Sequence, residues 1–160
     1  MNLSRLNWVK VVTPESHWRS KWAYTAKELE SKKNDKENVI NDNGVVIFPL
    51  EFKNLKANDP KSGDLILLTQ RAKVTHIVEV LDHQSFQSGE FFNRYVRVIW
   101  WKSDSDNLEN LPHQDQVLGF HLNIQQSMPY KWESLKDFQE KWKGEKDKFQ
   151  IHLAMQIEKL

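Results

Sequence analysis

The sequence predicts one domain of mixed α and β structure (α+β), a curved, mostly antiparallel sheet or partly open β-barrel with covering helices. Three observations carry that expectation. Runs of β-branched and aromatic residues separated by turn chemistry outnumber the helical patterns. Two stretches place Trp at helical spacing, as covering helices would. The chain is 160 residues long, a length at which one domain buries about 70% of the surface its unfolded chain exposes.

Asn7 to Val12 surrounds Trp8 with β-branched residues and reads as a first strand. Thr13-Pro14-Glu15 then resembles a helix start, with Pro at the first helical position. Trp18, Trp22, Ala26 and Leu29 follow on one face, which predicts an amphipathic helix over Pro14 to Ser31. The polar, Asn- and Asp-rich stretch Lys32 to Gly44 is expected to be a solvated, mobile loop.

Val45 to Leu50 opens the β-rich part, and Asp59 to Asp64 has turn chemistry. Leu65 to Thr69 and Val74 to Val80 are joined by Gln70-Arg71-Ala72-Lys73, a connection suited to an antiparallel hairpin. His83 to Glu90 is polar again. Phe91 to Trp101 is the longest β-rich run, and strict alternation puts Arg94, Val96, Val98 and Trp100 on one face and Tyr95, Arg97, Ile99 and Trp101 on the other.

Val117 to Phe120 reads as a short strand. Trp132, Leu135, Phe138 and Trp142 predict a second amphipathic helix within Tyr130 to Lys143, with Gly144 as its stop. Phe149, Ile151, Leu153, Met155 and Ile157 alternate with more polar residues, the period of a half-buried strand.

Composition narrows the chemistry. Lys and Arg total 23 against 22 Asp and Glu, so a net charge of +1 predicts no long-range pull on nucleic acid, and a polyanion would have to meet a local patch. Without Cys there is neither a disulfide framework nor a thiolate metal site, which fits a reducing, cytoplasmic setting. The start lacks a signal-like apolar run. With five scattered Gly and no phosphate-binding loop, nucleotide-driven chemistry is not expected, and the six His include no pair at metal-ligand helical spacing. No metal, cofactor or serine nucleophile is therefore expected.

The enzymatic alternative is a Mg²⁺-dependent nuclease in which Asp42 and Glu51 hold the ion and Lys53 orients water. The seven Trp point elsewhere. Rigid aromatic planes suit cores and clefts alike, and a base stacked on one gains about 1–3 kcal/mol. Trp100 and Trp101 are consecutive on a strand, so both are core only if both faces of the sheet are covered.

The order of segments resembles that of EVE domains, relatives of the YTH and ASCH domains in the PUA-like superfamily. The resemblance rests on the opening strand Asn7-Trp8-Val9-Lys10-Val11-Val12, Gly63-Asp64 starting the strand Leu65 to Leu68, and Thr75-His76-Ile77-Val78-Glu79-Val80 ending in a Glu-Val pair. It continues through Phe92-Asn93-Arg94-Tyr95-Val96-Arg97-Val98 to the late helix around Ser134 to Phe138. His76 departs from the small residue, commonly Gly, often found at its place in EVE domains.

The resemblance implies a narrow pocket that accepts a flipped or unpaired base, often a modified one. Trp8, Trp18, His76 and Trp100 would line it, with Lys10, Arg94 and Arg97 near the nucleic-acid backbone. The partner would be DNA or RNA, including methylated forms, and a separate nuclease or motor could act beside this reader. A protein-interaction domain without nucleic-acid binding is the remaining alternative.

Overall fold

The computed structural model describes residues 1–13, 40–42, 45–102, 108–126 and 128–160. The helix expected over Pro14 to Ser31, with Trp18 and Trp22, lies outside the described residues, as does most of the 32–44 loop. Among the described residues, eight strands form one sheet: β1 (Leu6–Val11), β2 (Ile40–Asp42), β3 (Val45–Phe52), β4 (Leu65–Gln70), β5 (Lys73–Val80), β6 (Phe86–Ser88), β7 (Phe91–Trp101) and β8 (Tyr130–Lys131). The α-helices described are α1 (Gln114–Leu118), α2 (Lys136–Trp142) and α3 (Lys146–Ile157). The protein is thus mixed α+β, with strands in the order β2-β3-β7-β5-β4-β1-β8 and β6 alongside β7. Among the described residues, the end strands β2 and β8 do not pair with each other, so the sheet they form is open rather than a closed barrel. Every pairing is antiparallel except β1 with β4.

Residues run inward on both faces of the central strands, and β4 is buried at every position from Leu65 to Gln70. Leu6, Val9, Leu65, Leu67 and Ile77 pack beneath α1, α2 and α3, against Leu118, Phe138, Phe149 and Leu153. On the other face, Trp8, Val12, Ile66, Leu68, Val78, Val80 and Val96 meet Phe48, Leu50 and Phe52 of β3. Burial on both faces explains why these strands read as continuous apolar runs rather than as alternating ones.

The sheet is curled toward this second face. Four strand spacings, about 19 Å in a flat sheet, separate β1 from β3. Yet the Lys10 ammonium of β1 sits 5.2 Å from the centre of the Phe52 ring of β3. Two side chains of that length cannot bridge a flat sheet, so β1 and β3 must bend toward each other.

Several local expectations are corrected. The β4–β5 connection is tighter than expected: Gln70 pairs with Lys73, and Arg71 and Ala72 form the turn with φ of 48° and 59°. Two left-handed residues in a row match the twist of a hairpin, although Asn and Gly are the residues that usually supply them. Residues 40–42, assigned to a loop from the sequence, form a strand edge on β3, and the polar 83–90 stretch contains β6.

Val117 and Leu118 belong to a helix, not a strand. His113 and Gln116 build a capping box at the start of α1, and Gly119, with φ of 76°, ends it in the left-handed conformation. A Cβ on Gly119 would lie 3.4 Å from the Trp142 ring and 3.5 Å from His152, so this turn is also where α1 meets α2 and α3. The helix expected within Tyr130 to Lys143 is shorter: Tyr130–Lys131 pairs with β1, a 3-10 turn spans Trp132–Ser134, and α2 begins at Lys136.

The last element is helical, not extended. The buried positions of α3, Phe149, Gln150, Leu153 and Ile157, follow a helical period. The alternation in the sequence arose because Ile151 and Met155, which are 65% and 55% exposed, interleave with the true core positions. Lys, Gln, Leu, Ala and Met between 146 and 156 favour the helix once that face is buried.

Candidate base-binding face

The curled face carries a row of four cross-strand neighbours. Lys10 pairs in register with Leu68, Leu68 with His76, and His76 with Trp101. Paired residues share a face, so all four side chains stand on the same side of β1, β4, β5 and β7. Trp8 lies two residues before Lys10 on that side and packs into the same cluster. Lys10 and His76 are two strand spacings apart, about 10 Å between backbones.

Each member is held differently. His76 is fully buried, its Nδ1 lies 2.9 Å from Thr75 Oγ1, and its ring meets Trp101 edge-on, with centroids 6.4 Å apart at 73°. Trp101 is only partly buried, on the margin of the cluster. Trp8 is 4% exposed; its indole N–H donates to Asp64 Oδ2 at 2.8 Å, and the Lys131 ammonium stands 5.3 Å from the ring centre. The outer edge of Trp8 also borders a cleft of about 470 Å³ at the end of the sheet, between Asp64, Lys61, Lys131, Glu133 and Lys146.

Lys10 is the unusual member. It is 4% exposed, and its ammonium donates to the Val11 carbonyl at 3.1 Å and faces the Phe52 ring. Burial pushes its pKa from 10.5 down to about 8; Glu51 partly offsets that push and Lys53 adds to it.

The expected pocket residues are therefore only partly brought together. Trp8 and His76 share the curled face, while Trp18 lies outside the described residues. Trp100 is on the opposite face. A β-bulge between the pairs Ile77–Trp100 and Val78–Val98 shifts the alternation, so Trp100 packs with the helix-covered core while Val96 and Val98 belong to the curled face. Trp101 takes the place beside His76 that strict alternation assigned to its neighbour. The Trp-Trp pair was visible in the sequence, but the bulge was not.

The expected backbone-contacting residues are not placed together on an open rim. Lys10 is buried inside the curl rather than on a rim. Arg94 has a fully buried side chain, consumed by internal bonds: Nε donates to Asp82 Oδ1 at 2.6 Å, and its terminal nitrogens donate at 2.7 Å to the carbonyls of Ala57, Pro60 and Asp82. It ties the Leu55–Asn58 3-10 turn and the Asp82 loop to β7, and its burial keeps it from a phosphate at the surface. Arg97 is 42% exposed but lies on the helix-covered face, bonded to Glu79, which Arg5 also contacts at 2.7 Å. Burial raises the Glu79 pKa, but the two arginines outweigh it and hold the carboxyl below its usual value.

The nuclease arrangement does not form. Asp42 pairs with Val45 at one end of β3, and Glu51 lies six residues further along it, about 20 Å at about 3.3 Å per residue. Two ligands of one ion stand far closer than that. Among the described residues, no group of three or more His, Asp or Glu side chains is placed to hold a metal ion, and no helix is long and apolar enough to cross a membrane.

Comparison of the chain with family models, curated proteins and solved structures found no match. The reading of the site therefore rests on its own geometry.

Proposed function

We propose that the protein is a nucleic-acid-binding reader of PUA-like type that accommodates a base, in particular a modified one, on the curled face of its sheet. The observation that carries this reading is the row Lys10–Leu68–His76–Trp101, with Trp8 beside it. Its parts match what an extruded base requires. Trp101 is a partly exposed aromatic plane, His76 is a polar ring, and Lys10 is a cation in low-dielectric surroundings. Stacking and edge hydrogen bonds offset the few kcal/mol that unstacking a base costs. In this reading the module works beside a separate nuclease or motor, without catalysis of its own, on DNA or RNA.

The test is intrinsic Trp fluorescence during titration with short oligonucleotides. These should be single- and double-stranded, with and without methylated or hydroxymethylated bases, at two salt concentrations. Saturable quenching that favours a modified base and weakens with salt is expected. Absence of binding to every oligonucleotide would remove the reading. It would favour a protein-interaction domain, for which the observation is the exposed pair Ile151 and Met155 beside Met1, around a groove of about 410 Å³.

A further inference from the structure

A buried ammonium is normally matched by a carboxylate, because an ion removed from water without a partner costs several kcal/mol. Among the described residues, Lys10 has no such match: no carboxylate forms an ion pair with it. One of its three N–H donors meets the Val11 carbonyl at 3.1 Å, and the Phe52 ring faces the group at 5.2 Å. Neither partner neutralises a charge. Glu51, the acid that acts on it most, is on β3 with an exposed side chain. A Val or Leu at position 10 would extend the apolar face formed by Val12, Leu68 and Val78 without that cost, so fold stability alone gives no reason for a lysine there.

Lys10 stands on the same face of the sheet as His76 and Trp101, in the register row that runs through Leu68. We infer that Lys10 is the anion-binding group of this face: the ligand presents a negatively charged oxygen to its ammonium while its planar part lies against Trp101. This deepens the base-binding reading and rests on it. The oxygen has two possible sources, a carboxylate carried by the base or a phosphate of the bound strand, and both would supply the missing counter-charge. The bound form needs Lys10 protonated, so affinity is full below its pKa of about 8 and falls above it, at most about tenfold per pH unit for one linked proton. Other groups near this ammonium are Glu51 of β3 and Lys53 just beyond the end of that strand, with His76 of β5 on the same face. The dependence assigned to Lys10 is therefore the part that a change at position 10 removes.

The experiment measures binding of fluorescently labelled single-stranded oligonucleotides between about pH 6.5 and 9.5 to the wild type, Lys10→Met and Lys10→Arg. One probe carries a carboxylated cytosine and the other a methylated cytosine. Wild-type affinity is expected to fall above about pH 8. Lys10→Met should bind at least tenfold more weakly at neutral pH, with a flat profile, and Lys10→Arg should keep binding without the alkaline fall, since its guanidinium stays charged. Preference for the carboxylated probe that Lys10→Met abolishes assigns the base as the source of charge. Equal losses with both probes assign a phosphate.

If Lys10→Met binds like the wild type at every pH, the inference is overturned while the base-binding reading stands. If neither probe binds the wild type, that reading falls, and inorganic phosphate then decides the role of Lys10. A saturable shift of the Lys10 side-chain resonance in an NMR titration would uphold anion binding, and no shift would overturn it.

Discussion

Arg94→Met is expected to destabilise the protein by about 3–5 kcal/mol, the loss typical when one member of a buried, hydrogen-bonded ion pair is removed. The guanidinium is fully buried and serves four acceptors: the Asp82 carboxylate and the carbonyls of Ala57, Pro60 and Asp82. Methionine approximates its volume but supplies no donor, so three loop carbonyls and a carboxylate are left behind in the space it vacates. Asp82 keeps a second bond, from the Tyr95 amide at 2.9 Å, which holds part of the loop in place. Urea denaturation followed by far-UV circular dichroism measures the effect. A change below about 1 kcal/mol, the value typical of an exposed pair, would show that Arg94 is not the tie described above.

Lys10→Met is expected to act in the opposite direction and stabilise the protein at neutral pH. The folded state lowers the lysine pKa from 10.5 to about 8, and each unit is worth about 1.4 kcal/mol, so the charged side chain costs about 3 kcal/mol at pH 7. Between the two values the unfolded chain holds a proton that the folded one has released. Stability from this group therefore rises as pH increases from about 8 toward 10.5, and the full cost is present below that window. Wild-type stability should climb across this range relative to Lys10→Met, and the two proteins should converge near its upper end. A less stable Lys10→Met at pH 7 would mean that the ammonium has a counter-charge. A more stable variant that also binds more weakly would identify Lys10 as a residue kept at the expense of stability, as binding sites often require.

The strands Leu65–Gln70, Lys73–Val80 and Phe91–Trp101 were legible in the sequence because β-branched runs bounded by turn residues have few other structures open to them. What could not be read was the face to which each strand turns its residues. Bulges interrupt the pairings of β1 with β4, β4 with β5 and β5 with β7, and each moves the following side chains across the sheet. That is why Trp101, not Trp100, stands beside His76. In α3 the difficulty was exposure: Ile151 and Met155 are apolar but face solvent, and they imitated a strand.

The site shows the same division. That Trp8 and Lys10 share a face follows from their spacing on β1, but a lysine in a strand reads as solvated unless the curl that brings Phe52 over it is known. The opposite held for Arg94. Its role depends on Asp82, twelve residues away, and on two carbonyls further off, contacts that leave no local pattern.

The most direct test of the proposed base-binding face compares Trp101→Ala with Trp100→Ala, since the two residues are adjacent in sequence and on opposite sides of the sheet. Affinity is measured from the anisotropy of a labelled oligonucleotide that binds the wild type, after both variants are shown to be folded. The proposed function predicts that Trp101→Ala weakens binding by about 1–3 kcal/mol, the worth of one stacked base, while Trp100→Ala stays within about twofold of the wild type. Loss of binding with Trp100→Ala alone, or equal affinity in all three proteins, would contradict the assignment of the base to the face that Lys10, His76 and Trp101 share.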